Sequence, residues 1–131
     1  MPKFEAEFTV TAWDERPYEE DESGRKLTHA SVRQDVTGDL VGSGRAELLM
    51  SYAEDGTAHF VGLQRFEGSI DSRTGVVVFE TVGDFDGEVA SSAAKVVPGS
   101  GSGELAQMLG KGRFHAPHGS KATFAIDCTF E

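Results

Sequence analysis

The chain has 131 residues, a single cysteine at Cys128 and a formal net charge of -10. That length suits one domain whose core needs no disulfide or metal staple, and one cysteine allows no internal disulfide, which fits a reducing compartment. The charge argues against nucleic acid and anionic membrane surfaces, which recruit Lys and Arg, and no apolar run reaches the ~18 residues of a transmembrane helix.

Alternation with a period of two recurs along the chain and predicts strands. In the first, "KFEAEFTVTAW" (3–13), Phe4, Ala6, Phe8, Val10 and Ala12 share one face and Glu5, Glu7, Thr9, Thr11 and Trp13 the other. The same acids remove the apolar core that a signal peptide would need, and the chain has no asparagine to glycosylate, so a soluble cytoplasmic protein is expected. "DERPYEEDES" follows, with six carboxylates between Asp14 and Glu22, and reads as a solvated acidic loop. It lacks the central Gly and terminal Glu of a calcium loop.

The second strand, 27–37, sets Ala30, Val32 and Val36 against His29, Arg33 and Asp35. After a Gly38-Asp39 turn, the third, 44–52, aligns Ala46, Leu48, Met50 and Tyr52. The fourth, 57–70, aligns Ala58, Phe60, Gly62, Gln64, Phe66 and Gly68. "DSRTG" turns the chain into the fifth, 76–85, with Val77, Phe79, Thr81, Gly83 and Phe85 in register. Asp86-Gly87 leads to the sixth, 88–97; a short seventh lies around 112–116; and "PHGS" turns into the last, 121–130, which aligns Ala122, Phe124, Ile126, Cys128 and Phe130. About eight strands joined by tight turns predict an all-β, single-domain antiparallel meander. Such a sheet closes into an eight-stranded β-barrel and so removes its exposed edges.

Between the sixth and seventh strands runs "VVPGSGSGELAQMLGKG" (96–112). A P-loop would need Gly at Leu105 and Ser or Thr at Gly112, and a dinucleotide fingerprint would need Gly at Glu104 or Ala106, so no phosphate motif is present. Pro98 ends a strand, the glycines permit a tight reversal, and one short helical turn is expected near 103–110, with Leu105 and Leu109 plugging the barrel end. The run Pro-Gly-Ser-Gly-Ser-Gly-Glu-Leu (98–105) followed by Gly-Lys-Gly-Arg-Phe (110–114) resembles the bacterial family called domain of unknown function 3224. "TAWDERPY" (11–18), "SYAEDGTAHFVGLQRFEGSI" (51–70) and "GVVVFETVGDF" (75–85) carry the same resemblance, from about Phe8 to Phe130. It implies an allene-oxide-cyclase-like barrel and, more distantly, kinship with plant allene oxide cyclases and dirigent proteins. The family's pattern often has histidine at position 81 and an acid at position 64; this chain has Thr81 and Gln64.

No nucleophile motif appears, and Cys128 lies on an apolar strand face as a small core residue. His115 and His118 flank "AP" beside a turn with no third ligand near in sequence, so no metal is expected. No cofactor is implied. Polar residues on otherwise apolar faces suggest a pocket, and its candidate lining is Tyr52, Phe60, Gln64, Phe66, Phe79 and Thr81. The first expectation is therefore a barrel that binds a small apolar or aromatic molecule, with isomerase or cyclase chemistry by fold analogy or as a plain carrier. The alternative is a filled barrel that serves as a structural or interaction module. Outward-facing Val76, Val78 and Val82 favour a homo-oligomer under either reading.

Overall fold

A computed structural model describes residues 2–117 and 121–130 of the chain. It contains β1 (Lys3–Glu20), β2 (Lys26–Gly38), β3 (Leu40–Tyr52), β4 (Ala58–Ile70), β5 (Arg73–Phe85), β6 (Ala90–Val96), the two-residue β7 (Ser102–Gly103), β8 (Leu109–Ala116) and β9 (Lys121–Thr129). Neighbouring long strands pair antiparallel in the order β4-β3-β2-β1-β9-β8-β6-β5, and β5 pairs back onto β4. Eight long strands thus close into a meander barrel, as the alternation and turn signals predict. Side chains short enough to cap their own turns make the corners: Asp86 accepts from the amides of Glu88 and Val89, and Asp55 from that of Thr57.

Period-two burial follows the expected faces on most strands. Thr28, Ala30, Val32 and Val36 of β2, and Ala58, Phe60, Gln64, Phe66 and Ile70 of β4, point inward and are buried. β1 departs in two ways. The first is its length: Asp14–Glu20, read from sequence as an acidic loop, continues as strand and pairs with β2 out to Glu20 opposite Lys26. β9 covers β1 only as far as Thr9, so the amide that Pro17 lacks is not needed on that side, and the carboxylates other than Glu15 stay exposed on this ribbon. The second is a register shift between Val10 and Ala12. One extra residue there reverses the alternation, so Trp13, assigned from its parity to the outside, lies on the inner side.

The glycine-rich segment closes one end. Ser102 and Gly103 pair with Val76 and Gly75 at the start of β5. Residues 104–107 then form successive turns whose amides bond three residues back, Leu105 to Ser102, Ala106 to Gly103 and Met108 to Leu105. The short helix expected at 103–110 does not form, because β8 already begins at Leu109. With three-residue spacing Leu105 and Met108 are the buried pair, and Leu109, expected to plug the barrel, faces solvent. Gly101 is required by contact: a Cβ there would lie 2.0 Å from the Leu105 carbonyl oxygen. Glu104 fastens the turn, its amide donating to the Thr74 carbonyl at 2.9 Å and its Oε1 accepting from the Thr74 amide at 3.1 Å.

Candidate functional site

The interior divides into two clusters. Towards the glycine-rich turns, Phe8, Leu40, Phe66, Ile70, Val77, Phe79, Leu105, Phe124, Ile126 and Cys128 pack at 1 % exposure or less. Four of their neighbouring rings interlock. Phe114 stacks on Phe124 at 4.2 Å, while Phe8 meets Phe114 and Phe124 edge-on at 5.1 and 5.5 Å and Phe79 meets Phe124 at 5.3 Å. Burial pushes the Cys128 thiol up to about 11, so it is an inert core group.

The opposite half carries small inner residues, Ala30, Ala46, Ala58 and Ala90, and there a cavity of about 230 Å³ opens to one end of the barrel. Its walls are Val10, Val32, Leu48, Met50, Phe60 and Phe85, with Trp13 and Tyr52 at the mouth and Phe8 and Phe114 separating it from the filled half. Four neutral polar side chains reach it: Gln34, Gln64, Thr81 and Ser92. Gln64 Nε2 donates to Gln34 Oε1, and the Gln34 amide lies over Gly44, where a Cβ would come within 2.7 Å of that oxygen. Depressions on the outer surface, such as the one across Glu7, Thr37, His115 and Thr123, are broad and shallow.

Of the residues singled out from sequence, Tyr52, Phe60, Gln64 and Thr81 line this cavity. Phe66 and Phe79 do not; both are fully buried in the aromatic half, because the alternation that puts them on the inner face does not say at which level along the barrel they sit. The lining also includes residues the sequence reading passed over. Gln34 and Ser92 share parity with Val32 and Val36 and with Ala94 and Val96, so the same polar-on-apolar signal marks them. Trp13 of the lining, and Glu15 beside it at the mouth, had no such signal, since the bulge that turns them inward is invisible to a strict alternation.

Glu15 organises the mouth. Its Oε2 accepts from the Tyr52 hydroxyl at 2.6 Å and the Thr28 hydroxyl at 2.7 Å, and its Oε1 from the Trp13 indole at 3.0 Å. Burial works to raise the Glu15 carboxyl, but these three donors, with Lys26 nearby, outweigh it and hold the group below the ordinary carboxylate range. Burial, and then the bond to Glu15, pushes the Tyr52 hydroxyl upward. At neutral pH the pair is therefore a carboxylate and a neutral phenol, with the phenol's proton committed to the carboxylate. The mouth is a fixed frame of Trp13, Tyr52 and Thr28 around one anion.

The described histidines and arginines stay outside. His29 Nε2 lies 2.8 Å from Glu47 Oε1 and His59 Nδ1 lies 2.9 Å from Asp84 Oδ1, all on the exposed face. Arg45 and Arg65 pair with Glu47 and Glu67. Among the described residues no three His, Cys, Asp or Glu side chains converge as metal ligands; His115 is exposed on β8, and His118 lies outside the described residues.

A closed, up-and-down antiparallel barrel, filled at one end and holding an apolar cavity towards the other, defines a small all-β barrel protein. Residues 4–128 match the family model described as protein of unknown function (DUF3224), and the chain belongs to that family. The crystal structure of a protein of unknown function from the DUF3224 family of Shewanella oneidensis MR-1 is similar in fold, with a TM-score of 0.80 at 24 % identity over 100 % of this chain and 98 % of that one. No curated protein matches the chain. No helix among the described residues is long and apolar enough to cross a membrane.

Proposed function

We propose that the barrel binds a small, compact, predominantly apolar molecule in the cavity of its open half. The observation that carries this reading is the contrast within one barrel. An eight-stranded barrel is narrow enough for side chains to fill, yet the small lining residues Ala46, Ala90, Ala116 and Ala122 leave about 230 Å³ unfilled beside a tightly packed aromatic half. An apolar cavity of ~150 Å³ suffices for benzene, so this one suits a single or fused bicyclic ring and is too small for a flavin or a folded lipid. The ligand would enter past Trp13, the chain's only tryptophan. On the allene-oxide-cyclase analogy a shaped cavity could also template a cyclisation or isomerisation, since such steps rely on confinement more than on a nucleophile; that extension rests on fold likeness alone.

Titration with camphor, a neutral bicyclic ketone, while following Trp13 emission tests the reading. A saturable change in the native chain, abolished by Ala46→Phe, is expected. Absence of saturable binding by neutral molecules of this size would overturn it.

A second reading concerns the outer surface and supports a homo-oligomer. Leu49, Val61 and Val82 are consecutive cross-strand partners on β3, β4 and β5, Leu63 adjoins them, and all four are exposed. Val78, expected to belong to such a patch, is half-covered by the glycine-rich segment, whose Ser100 hydroxyl accepts from its amide. Self-association through this face would bury the four residues, and light scattering of Leu63→Glu against the native chain would detect it as loss of the larger species.

A further inference from the structure

Resting on the cavity reading above, we infer that the ligand is an uncharged molecule whose single hydrogen-bond acceptor, a ketone or ether type of oxygen, enters first and meets the hydroxyls of Thr81 and Ser92. Thr81 and Ser92 sit on adjacent strands: Thr81 pairs with Ala94 and Ser92 with Gly83, which makes the two side chains diagonal neighbours on the inner face. They are 97 % and 96 % buried, at 3 % and 4 % exposure, and both line the cavity. Among the described residues neither hydroxyl is hydrogen-bonded to another protein group, and no side-chain oxygen shut off from open space goes unpartnered. Their oxygens therefore open onto the cavity. A hydroxyl can rotate its proton towards whatever arrives, and two unengaged hydroxyls at the end of an apolar chamber leave a hydrogen bond unmade until an acceptor fills it.

The rest of the lining excludes charge. Every polar group deep in the cavity is neutral, and Gln64 Nε2 already donates to Gln34 Oε1. Lys121, the one charged residue of the lining, is at the rim, with its ammonium 3.3 Å from Glu7. The Glu15 carboxylate at the mouth is saturated by three donors and adds to the net charge of -10, which disfavours an entering anion. An ion of either sign would shed its water without finding a counter-ion inside. The polarity is thus ordered along the cavity, with Trp13 and Tyr52 at the mouth, apolar walls and the two hydroxyls within, and it orients the ligand with its oxygen inward.

Calorimetric titration with four molecules of one shape separates this inference from the reading beneath it: indane, 1-indanone, indane-2-carboxylate and 2-aminoindane. The native protein is expected to bind 1-indanone about tenfold more tightly than indane, the difference one well-placed hydrogen bond makes, and to bind the carboxylate and the ammonium more weakly than the ketone. Thr81→Val, which keeps the volume, and Ser92→Ala are each expected to reduce the preference of ketone over hydrocarbon, and the double variant to remove it while indane still binds. Equal affinity for indane and 1-indanone, an ion bound as tightly as the ketone, or a preference that survives the double variant would overturn the assignment while leaving the cavity as a ligand site. Failure of all four molecules to bind would overturn the cavity reading itself.

Discussion

The two halves of this barrel are made by the same strands, yet one is filled by its inward side chains and the other holds a cavity. Along β4, Phe66 and Ile70 belong to the filled half, whereas Ala58 and Phe60 belong to the open one. Along β5, Val77 and Phe79 pack tightly and Gly83 leaves room for the Phe60 ring, whose Cζ would lie 2.7 Å from a Cβ placed there. One end is sealed by Leu105 and Met108 on successive turns, and the other is framed by polar bonds around Glu15. Within one barrel, inward side chains and the sealing turns divide a structural core from a chamber.

That division predicts a steep difference in mutational cost. Phe124→Ala removes the ring that touches Phe8, Phe79 and Phe114, and should cost about 3–5 kcal/mol in denaturant unfolding. Phe60→Ala enlarges a space that is already open and should cost roughly half as much, because less close packing is lost. Equal costs at the two sites would break the comparison.

Next in size is the seal. Gly101→Ala drives a methyl into the Leu105 carbonyl and should lower stability by about 1–3 kcal/mol, the usual penalty of overpacking. Because the turn lies at the far end of the barrel from the cavity, binding of 1-indanone by the folded fraction should be unchanged, which titration below the variant's melting temperature checks.

A smaller effect belongs to the mouth. The folded pKa of Glu15 is lowered, so its contribution is present above the unfolded value, near 4.5, and is lost as pH falls through the lower folded value. Glu15→Gln should therefore destabilise the protein at pH 7 by about 1 kcal/mol or less, given its partial exposure, and the gap to the native chain should narrow as pH falls below the unfolded value and through the lower folded one. A gap that persists unchanged into acid would mean that the charge of Glu15 is not what orders the mouth. The smallest effect is a null one: Cys128, buried and with its thiol pushed up to about 11, should resist thiol reagents at pH 8 until the barrel unfolds.

Much of this architecture can be read from the sequence, because alternation and Asp-Gly turns are local signals. They give the strands, the closure and the inward parity of Tyr52, Phe60, Gln64 and Thr81. Three features escape them for physical reasons. The bulge near Thr11 adds one residue without any compositional mark and so reverses Trp13 and Glu15. The acidic stretch 14–20 looks like a loop because strand propensity is read from its side chains, whereas its backbone is recruited by the long complementary edge of β2. Phe66 and Phe79 share the face of the pocket residues but lie at another level, and level depends on the stagger of strands around the barrel, which only long-range pairing sets.

Of the chain's three methionines, Met50 and Met108 stand in opposite halves, one lining the cavity and the other sealing the far end. Carbon-13 methyl spectra of methionine-labelled protein, recorded during titration with 1-indanone, thus report both halves in one experiment. A saturable shift of the Met50 methyl with the Met108 methyl unmoved is the predicted result. Equal shifts of both methyls, or movement of Met108 alone, would contradict a barrel with one chamber and one sealed core.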